Sequence, residues 1–236
     1  LNRFFAFHVI LLPLLLALLV YLHIVALHKV GSNNPDGVEI KKQKDADGKP
    51  LDGIPFHPYY TVKDTFGVGV FLTVYLAIVF FLPELGGWFL EKDNFAPADI
   101  LQTPPDIVPL WYLTPYYSIL RAVTFEWLPG GAKLWGVIAM AAAIVIFFFL
   151  PWLDRSRVRS IRYRGWMYKT MLTLFAVTFV MLGYLGTKNP GHVDLIWFKN
   201  VTWAQIGLVI YFAFFLLMPI YTRLDRTYAE PDRLNK

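Results

Sequence analysis

Three histidines on one apolar helix are the residues of this chain best placed to do chemistry. The stretch Arg3 to His28, RFFAFHVILLPLLLALLVYLHIVALH, is long enough to cross a hydrocarbon core of roughly 30 Å at about 1.5 Å per residue. His8 and His23 stand 15 positions apart. At about 100° per residue that is four turns plus about 60°, so both imidazoles project to similar sides, with backbones roughly 22 Å apart along the axis. An imidazole in lipid is costly unless something satisfies it, so such residues mark a functional site by default. The spacing suits two stacked haems, each taking one axial ligand from this helix. Two histidines bonded to neighbouring helices, or snorkelling to the interfaces, satisfy the same pattern.

Two further groups frame that helix. His28 falls at its end, and Lys63 and Asp64 stand at the next membrane boundary, after the loop segments GSNNPDG and KKQKDADGKPLDG and the proline-bracketed IPFHPYYTVKD. A charged pair there is either simply interfacial or, with His28, a set of groups that hydrogen-bond and protonate a quinone ring. The loop 83–132 carries Trp88, Phe89, Phe95, Trp111, Tyr112, Tyr116, Tyr117, Phe125 and Trp127, braced by Pro104, Pro105, Pro109 and Pro115. A long, ordered loop of this kind tends to be functional, and its run LTPYYSILRAV reads as a short amphipathic helix at the interface. It forms a pocket for a flat apolar ring, or an ordinary aromatic belt.

The elements that must position these groups are membrane helices. Of 236 residues, 56% are hydrophobic and only 17% charged, a membrane composition. No cysteine is present, which excludes disulfides, thiolate metal sites, iron–sulfur ligation and covalent c-type haem within these residues. The net charge of +5 is no nucleic-acid signal, because the basic residues sit in loops beside spans. Five segments are long and apolar enough to cross, about 3–28, 64–82, 133–152, 167–186 and 203–222. The reading is an all-α polytopic membrane protein: a ligating helix over 1–30, an inner loop over 31–63, a span over 64–82, an outer loop over 83–132, three spans within 133–222 and a tail over 223–236. Lys29, Lys41, Lys42, Lys44, Lys49 and Lys63 mark the first loop as cytoplasmic; Arg155, Arg157, Arg159, Arg162 and Arg164 do the same for the loop 153–166. The loop 83–132 has only Lys92 and Arg121. The first helix then starts outside, the C-terminus lies inside, and His8 sits toward the outer face and His23 toward the inner one. A strong helix begins at Leu1 with no signal-peptide layout, which reads as a chain whose N-terminal part is missing from this sequence.

Taken together, the motifs RFFAFH at 3–8, HKVGSNNP at 28–35, IPFHPYYTVKD at 54–64, TPPDIVPLWY at 103–112, YYSILRAV at 116–123 and LPWLDRS at 150–156 resemble cytochrome b of the ubiquinol–cytochrome c oxidoreductase, the cytochrome bc complex. The likeness covers essentially the whole chain, looks like the last five of that family's eight helices, and is most similar to the proteobacterial branch. It implies that His8 ligates a low-potential b-type haem on the outer side and His23 a high-potential one on the inner side, each haem taking its other ligand from a helix outside this sequence. It implies that His28, Ser32, Asn33, Lys63 and Asp64 fall on an inner quinone-reduction site. Ile107, Pro109, Trp111, Tyr112 and Tyr117 fall on an outer quinol-oxidation site, where a Rieske iron–sulfur protein docks. The activity implied is proton-translocating electron transfer from quinol to a c-type cytochrome subunit, in a homodimeric complex of the bacterial inner membrane. Two other classes share part of the pattern: a different di-haem membrane cytochrome anchor, and a non-redox membrane scaffold or transporter subunit.

Two departures from the family matter. The spacing of 15 between His8 and His23 is one residue longer than is usual in that branch and resembles the related complex of oxygenic photosynthesis. One added residue rotates one imidazole by about 100° against the other, so a local helix adjustment near Pro13 is expected. The outer motif of the family, Pro-Glu-Trp-Tyr, reads here Pro109-Leu110-Trp111-Tyr112. Leucine cannot take a proton from quinol, and Asp106 and Glu126 are the candidate replacements.

Overall fold

The computed structural model describes residues 2–87, 90, 95–97, 99, 101 and 107–234. Among these the regular elements are helical, and they fall into two units, 1–53 with 229–236, and 54–228.

The first unit begins with one long helix, Asn2–Val30, built of α1 (Asn2–Ala6), a π-helical turn (Phe7–Leu11) and α2 (Leu12–Val30). The expected adjustment is this π turn, in which Leu12 N–H donates to Phe7 O, one residue further back than in an α-helix. Its cause lies next to it: Pro13 opens α2 and has no N–H to donate back to Val9. Gly31 ends the helix at φ +92°, and its N–H reaches Leu27 O at 2.7 Å. No residue of α1 or α2 is buried, as suits a helix that meets lipid or other helices along its whole length.

The loop 31–53 is organised by side-chain caps. Asn34 Oδ1 accepts from the backbone N–H of Asp36 and Val38, and its amide donates to Val38 O at 2.7 Å. Asp45 Oδ1 closes the following turn on the N–H groups of Asp47 and Lys49. Asp52, with a side chain only 3% exposed, accepts from Arg233 Nη2 at 3.1 Å and from Leu234 N at 3.3 Å, which fastens the C-terminal tail to this loop.

In the second unit α3 (Thr61–Phe81) follows a π turn at Phe56–Tyr60 and also buries no residue. The remaining helices are α4 (Thr114–Ala122), α5 (Gly131–Val145), α6 (Leu150–Leu153), α7 (Trp166–Gly186), α8 (Asn200–Leu216) and α9 (Met218–Leu224). A 3-10 turn at Ile146–Phe149 joins α5 and α6 into one span, Gly131–Leu153. The stretch read as a single span over 203–222 is broken: α8 and α9 meet at 58°. Pro219, in the first turn of α9, lacks the N–H that would have continued the ladder, and apolar composition alone does not reveal the bend.

The amphipathic run 114–122 forms α4 and packs one face into the core of this unit. Ile119 and Ala122 of α4 are buried with Ala143 of α5, Leu182 and Leu185 of α7, and Tyr211 and Phe215 of α8. Two glycines let α4 sit that close. A Cβ on Gly136 would collide with Leu120 O, and one on Gly186 with Thr114 O. Phe175 stacks on Phe214 with centroids 4.5 Å apart, and Tyr211 satisfies its buried hydroxyl on Ala143 O at 2.7 Å.

Candidate functional site

His8 lies in the π turn and His23 in the body of α2. Neither imidazole has a hydrogen-bond partner among the described residues. The i→i+5 turn takes up one residue more than an α turn. The 15-residue spacing therefore turns through about as much angle as 14 α-helical steps, about 40° short of four full turns. An imidazole nitrogen on an apolar helix, without a hydrogen-bond partner among the described residues, is a donor whose chemistry fits haem iron. No cluster of three or more His, Asp or Glu able to hold a bare metal ion occurs among the described residues.

His28 stands in the last turn of α2, and Ser32 and Asn33 are exposed just beyond Gly31. Asn33 Oδ1 accepts from Asn34 N at 2.8 Å, and Lys41 Nζ caps the helix end on Val30 O at 3.0 Å. These residues belong to the first unit. Lys63 and Asp64 open α3 in the second. They do not pair with each other. The Lys63 ammonium donates to Tyr59 Oη at 2.7 Å, and the exposed Asp64 carboxylate has no partner among the described residues.

Of the outer set, Ile107, Pro109, Leu110, Trp111 and Tyr112 lead directly into α4, and Tyr117 lies on it. Leu113 N donates to Leu110 O, Thr114 Oγ1 donates to Trp111 O at 2.7 Å, and the Trp111 and Tyr112 rings meet edge to face at 5.6 Å. Both residues are more than half exposed. Tyr117 is held more firmly, with the Arg121 guanidinium 4.4 Å from its ring centroid. Arg121 Nη2 donates to the carbonyls of Leu185 and Gly186 at 2.8 and 2.9 Å, where the negative end of α7 lies. Burial pulls the Arg121 pKa below its ordinary value, and the facing Tyr117 opposes that. The sequence reading did not single out Arg121: nothing in its neighbourhood names carbonyls more than sixty residues away as its partners. Glu126 Oε2 caps α5, accepting from Ala132 N at 3.2 Å. Asp106, with Trp88, Phe89, Lys92, Pro104 and Pro105, lies outside the described residues.

Two family models match, Cytochrome b(C-terminal)/b6/petD over residues 97–215 and Cytochrome b(N-terminal)/b6/petB over residues 1–102. The chain belongs to the cytochrome b/b6 family. As a cytochrome b-family chain it is 54% identical over 238 residues to cytochrome b of Allochromatium vinosum, covering 99% of this chain and 55% of that one. It is 47% identical over 218 residues to cytochrome b of Rhodospirillum rubrum, covering 92% and 48%. Among solved structures it is similar to a hyperthermophilic respiratory Complex III, with a TM-score of 0.76 and 35% identity over 94% of this chain and 51% of that one. The chain spans about half the length of the curated relatives it matches. With four helices able to span, or five when the bent pair counts as one, it is a multi-pass protein of the bacterial inner membrane.

Proposed function

We propose that this chain supplies the haem-ligating helix and both quinone-binding regions of the cytochrome b of a quinol–cytochrome c oxidoreductase, with His8 toward the outer membrane face and His23 toward the inner one. The observation that carries the reading is the pair of imidazoles without a partner among the described residues on one apolar helix, with a π turn at His8 that offsets the longer spacing. Two b-type haems, when bound to His8 and His23, would carry electrons between the two membrane faces, where moving one charge against 100 mV costs about 2.3 kcal/mol.

The chain's own groups hold quinones and move protons. At the inner site Asp64 and His28 hydrogen-bond the ring oxygens and deliver protons from the cytoplasmic side. Lys63, Ser32 and Asn33 border that site. At the outer site the exposed faces of Trp111 and Tyr112, with Ile107 and Pro109, form one side of a slot for a flat ring, beside the docking surface of a Rieske iron–sulfur protein. A c-type cytochrome subunit and a homodimeric assembly complete the proposed complex.

Because Leu110 accepts no proton, a nearby carboxylate serves the outer site, Asp106 or Glu126. An amide keeps the cap on Ala132 N, so Glu126→Gln leaves the fold intact while removing the base. One of Asp106→Asn and Glu126→Gln is expected to slow quinol oxidation at least about a hundredfold, the usual worth of a general base. Full activity in both would send the proton through water or another subunit.

Arg121 is a positioning residue in this scheme. Arg121→Gln is expected to raise the KM for quinol on the order of tenfold with a smaller change in kcat, because it removes the charge that seats the Tyr117 ring. Arg121→Lys should restore only part of the loss, since an ammonium cannot span both carbonyls as the fork does. An equal drop in kcat with KM unchanged would remove Tyr117 seating from the account.

A further inference from the structure

The end of the helix bundle where α6 finishes, α7 begins and α9 ends carries the densest positive charge in the second unit. Two carboxylates lie within it, and both are committed. Asp154 Oδ2 takes Arg164 Nη2 at 2.7 Å, with Arg164 buried beneath the Tyr168 ring. Asp225 Oδ2 takes Gly165 N at 2.7 Å, and its other oxygen is buried against Gly165. Arg157, Arg223 and Arg226 have no ion pair among the described residues, and all three line one open cleft of about 610 Å³ together with Asp225, Thr227 and Tyr228.

The walls of the cleft are fixed by the backbone. Arg155 N donates to Thr222 Oγ1 at 3.0 Å, Tyr228 N to Tyr163 O at 2.8 Å, and Gly165 N to Asp225 as above. The loop 154–165 and the segment 222–228 are thus pinned to each other at three points, and the guanidiniums are the groups left over. Beside the cleft, Ile220 and Leu224 of α9 are exposed, as are Trp152 and Trp166 at the ends of two spans. Indole rings at span ends sit at headgroup depth, so this cleft opens at the membrane surface with apolar side chains running away from it into the hydrocarbon.

We propose that Arg157, Arg223 and Arg226 form a binding site for the phosphate of an anionic phospholipid, whose acyl chains lie along the exposed face of α9. A guanidinium offers paired N–H donors that match phosphate oxygens, and three of them against the single carboxylate of Asp225 leave a net positive cleft that favours an anion over a zwitterion. Free phosphate shares the chemistry of the headgroup. The exposed apolar flank at Ile220 and Leu224 favours the lipid. The site is independent of how quinones are handled elsewhere in the chain.

The test uses the whole purified complex in phosphatidylcholine vesicles containing spin-labelled phosphatidylglycerol, with the motionally restricted lipid read by electron paramagnetic resonance. The triple variant Arg157→Gln, Arg223→Gln, Arg226→Gln is expected to lose one restricted phosphatidylglycerol per chain, with restricted phosphatidylcholine unchanged. An unchanged phosphatidylglycerol count overturns the proposal. So does displacement of that one lipid from the unaltered complex by inorganic phosphate at an ionic strength where added chloride leaves it bound, because the site then prefers the free ion. Should the triple variant fail to assemble, Arg226→Gln alone decides: a reduced preference for phosphatidylglycerol supports the site, and a full one rejects it.

Discussion

Replacing Gly186 by alanine is expected to cut the amount of assembled complex about tenfold or more. The added methyl would meet the Thr114 carbonyl, a backbone atom at the start of α4 that cannot swing aside. Relief requires α4 to move off α7, which breaks the Arg121 bonds to Leu185 and Gly186 and loosens the packing of Ile119. Overpacking of this kind costs on the order of 1–3 kcal/mol, and a loss of that size lowers cellular abundance severalfold before any lost bond is counted. Gly183→Ala, one turn earlier on the same helix, is the control. Its methyl would meet Pro115 Cγ at 3.5 Å and Thr114 Oγ1 at 3.7 Å, ordinary contacts, and assembly should be unchanged. Equal yields from the two variants, measured as haem-containing complex per membrane protein, would show that close seating of α4 is not what holds this unit together.

Asp64→Asn should slow reoxidation of the inner haem by about a hundredfold or more, the usual worth of a positioned proton donor. Reduction of the same haem from the outer site should keep its rate. The expectation rests on the state of the side chain: Asp64 is exposed in the first turn of α3, and its lysine neighbour is engaged with Tyr59 rather than with it. An asparagine fits that position without disturbing a partner, so the fold should persist while the proton is lost. Flash-induced kinetics separate the two half-reactions, and unchanged reoxidation would remove Asp64 from the mechanism.

Much of this was legible in the sequence because membrane spans announce themselves by length and composition. Four of the five expected spans appear as unbroken helices, and the π turn occupies the place beside Pro13 where the extra residue between His8 and His23 demanded an adjustment. The bend at Leu217 was not legible, because Pro219 sits in an apolar run that a hydropathy reading does not interrupt. The amphipathic pattern of 114–122 identified a helix but not how closely it packs. That packing depends on Gly136 and Gly186, whose meaning appears only when a second backbone is laid against them. Arg121 with the end of α7, and Asp52 with Arg233, join residues 64 and 181 positions apart. A single sequence carries no local sign of such pairs. The histidines stand out by residue type and spacing because an imidazole in an apolar helix is conspicuous. Leu110 was found only against the family's motif.

The central claim is that His8 and His23 each hold a different haem. A redox titration of the b-type haem spectrum in the native complex, repeated after His8→Leu and after His23→Leu, tests it most directly. The account predicts two components of distinct potential, the lower lost with His8 and the higher with His23. A single component, or a loss that follows His28 instead of His23, would contradict it and move the inner quinone site to other residues.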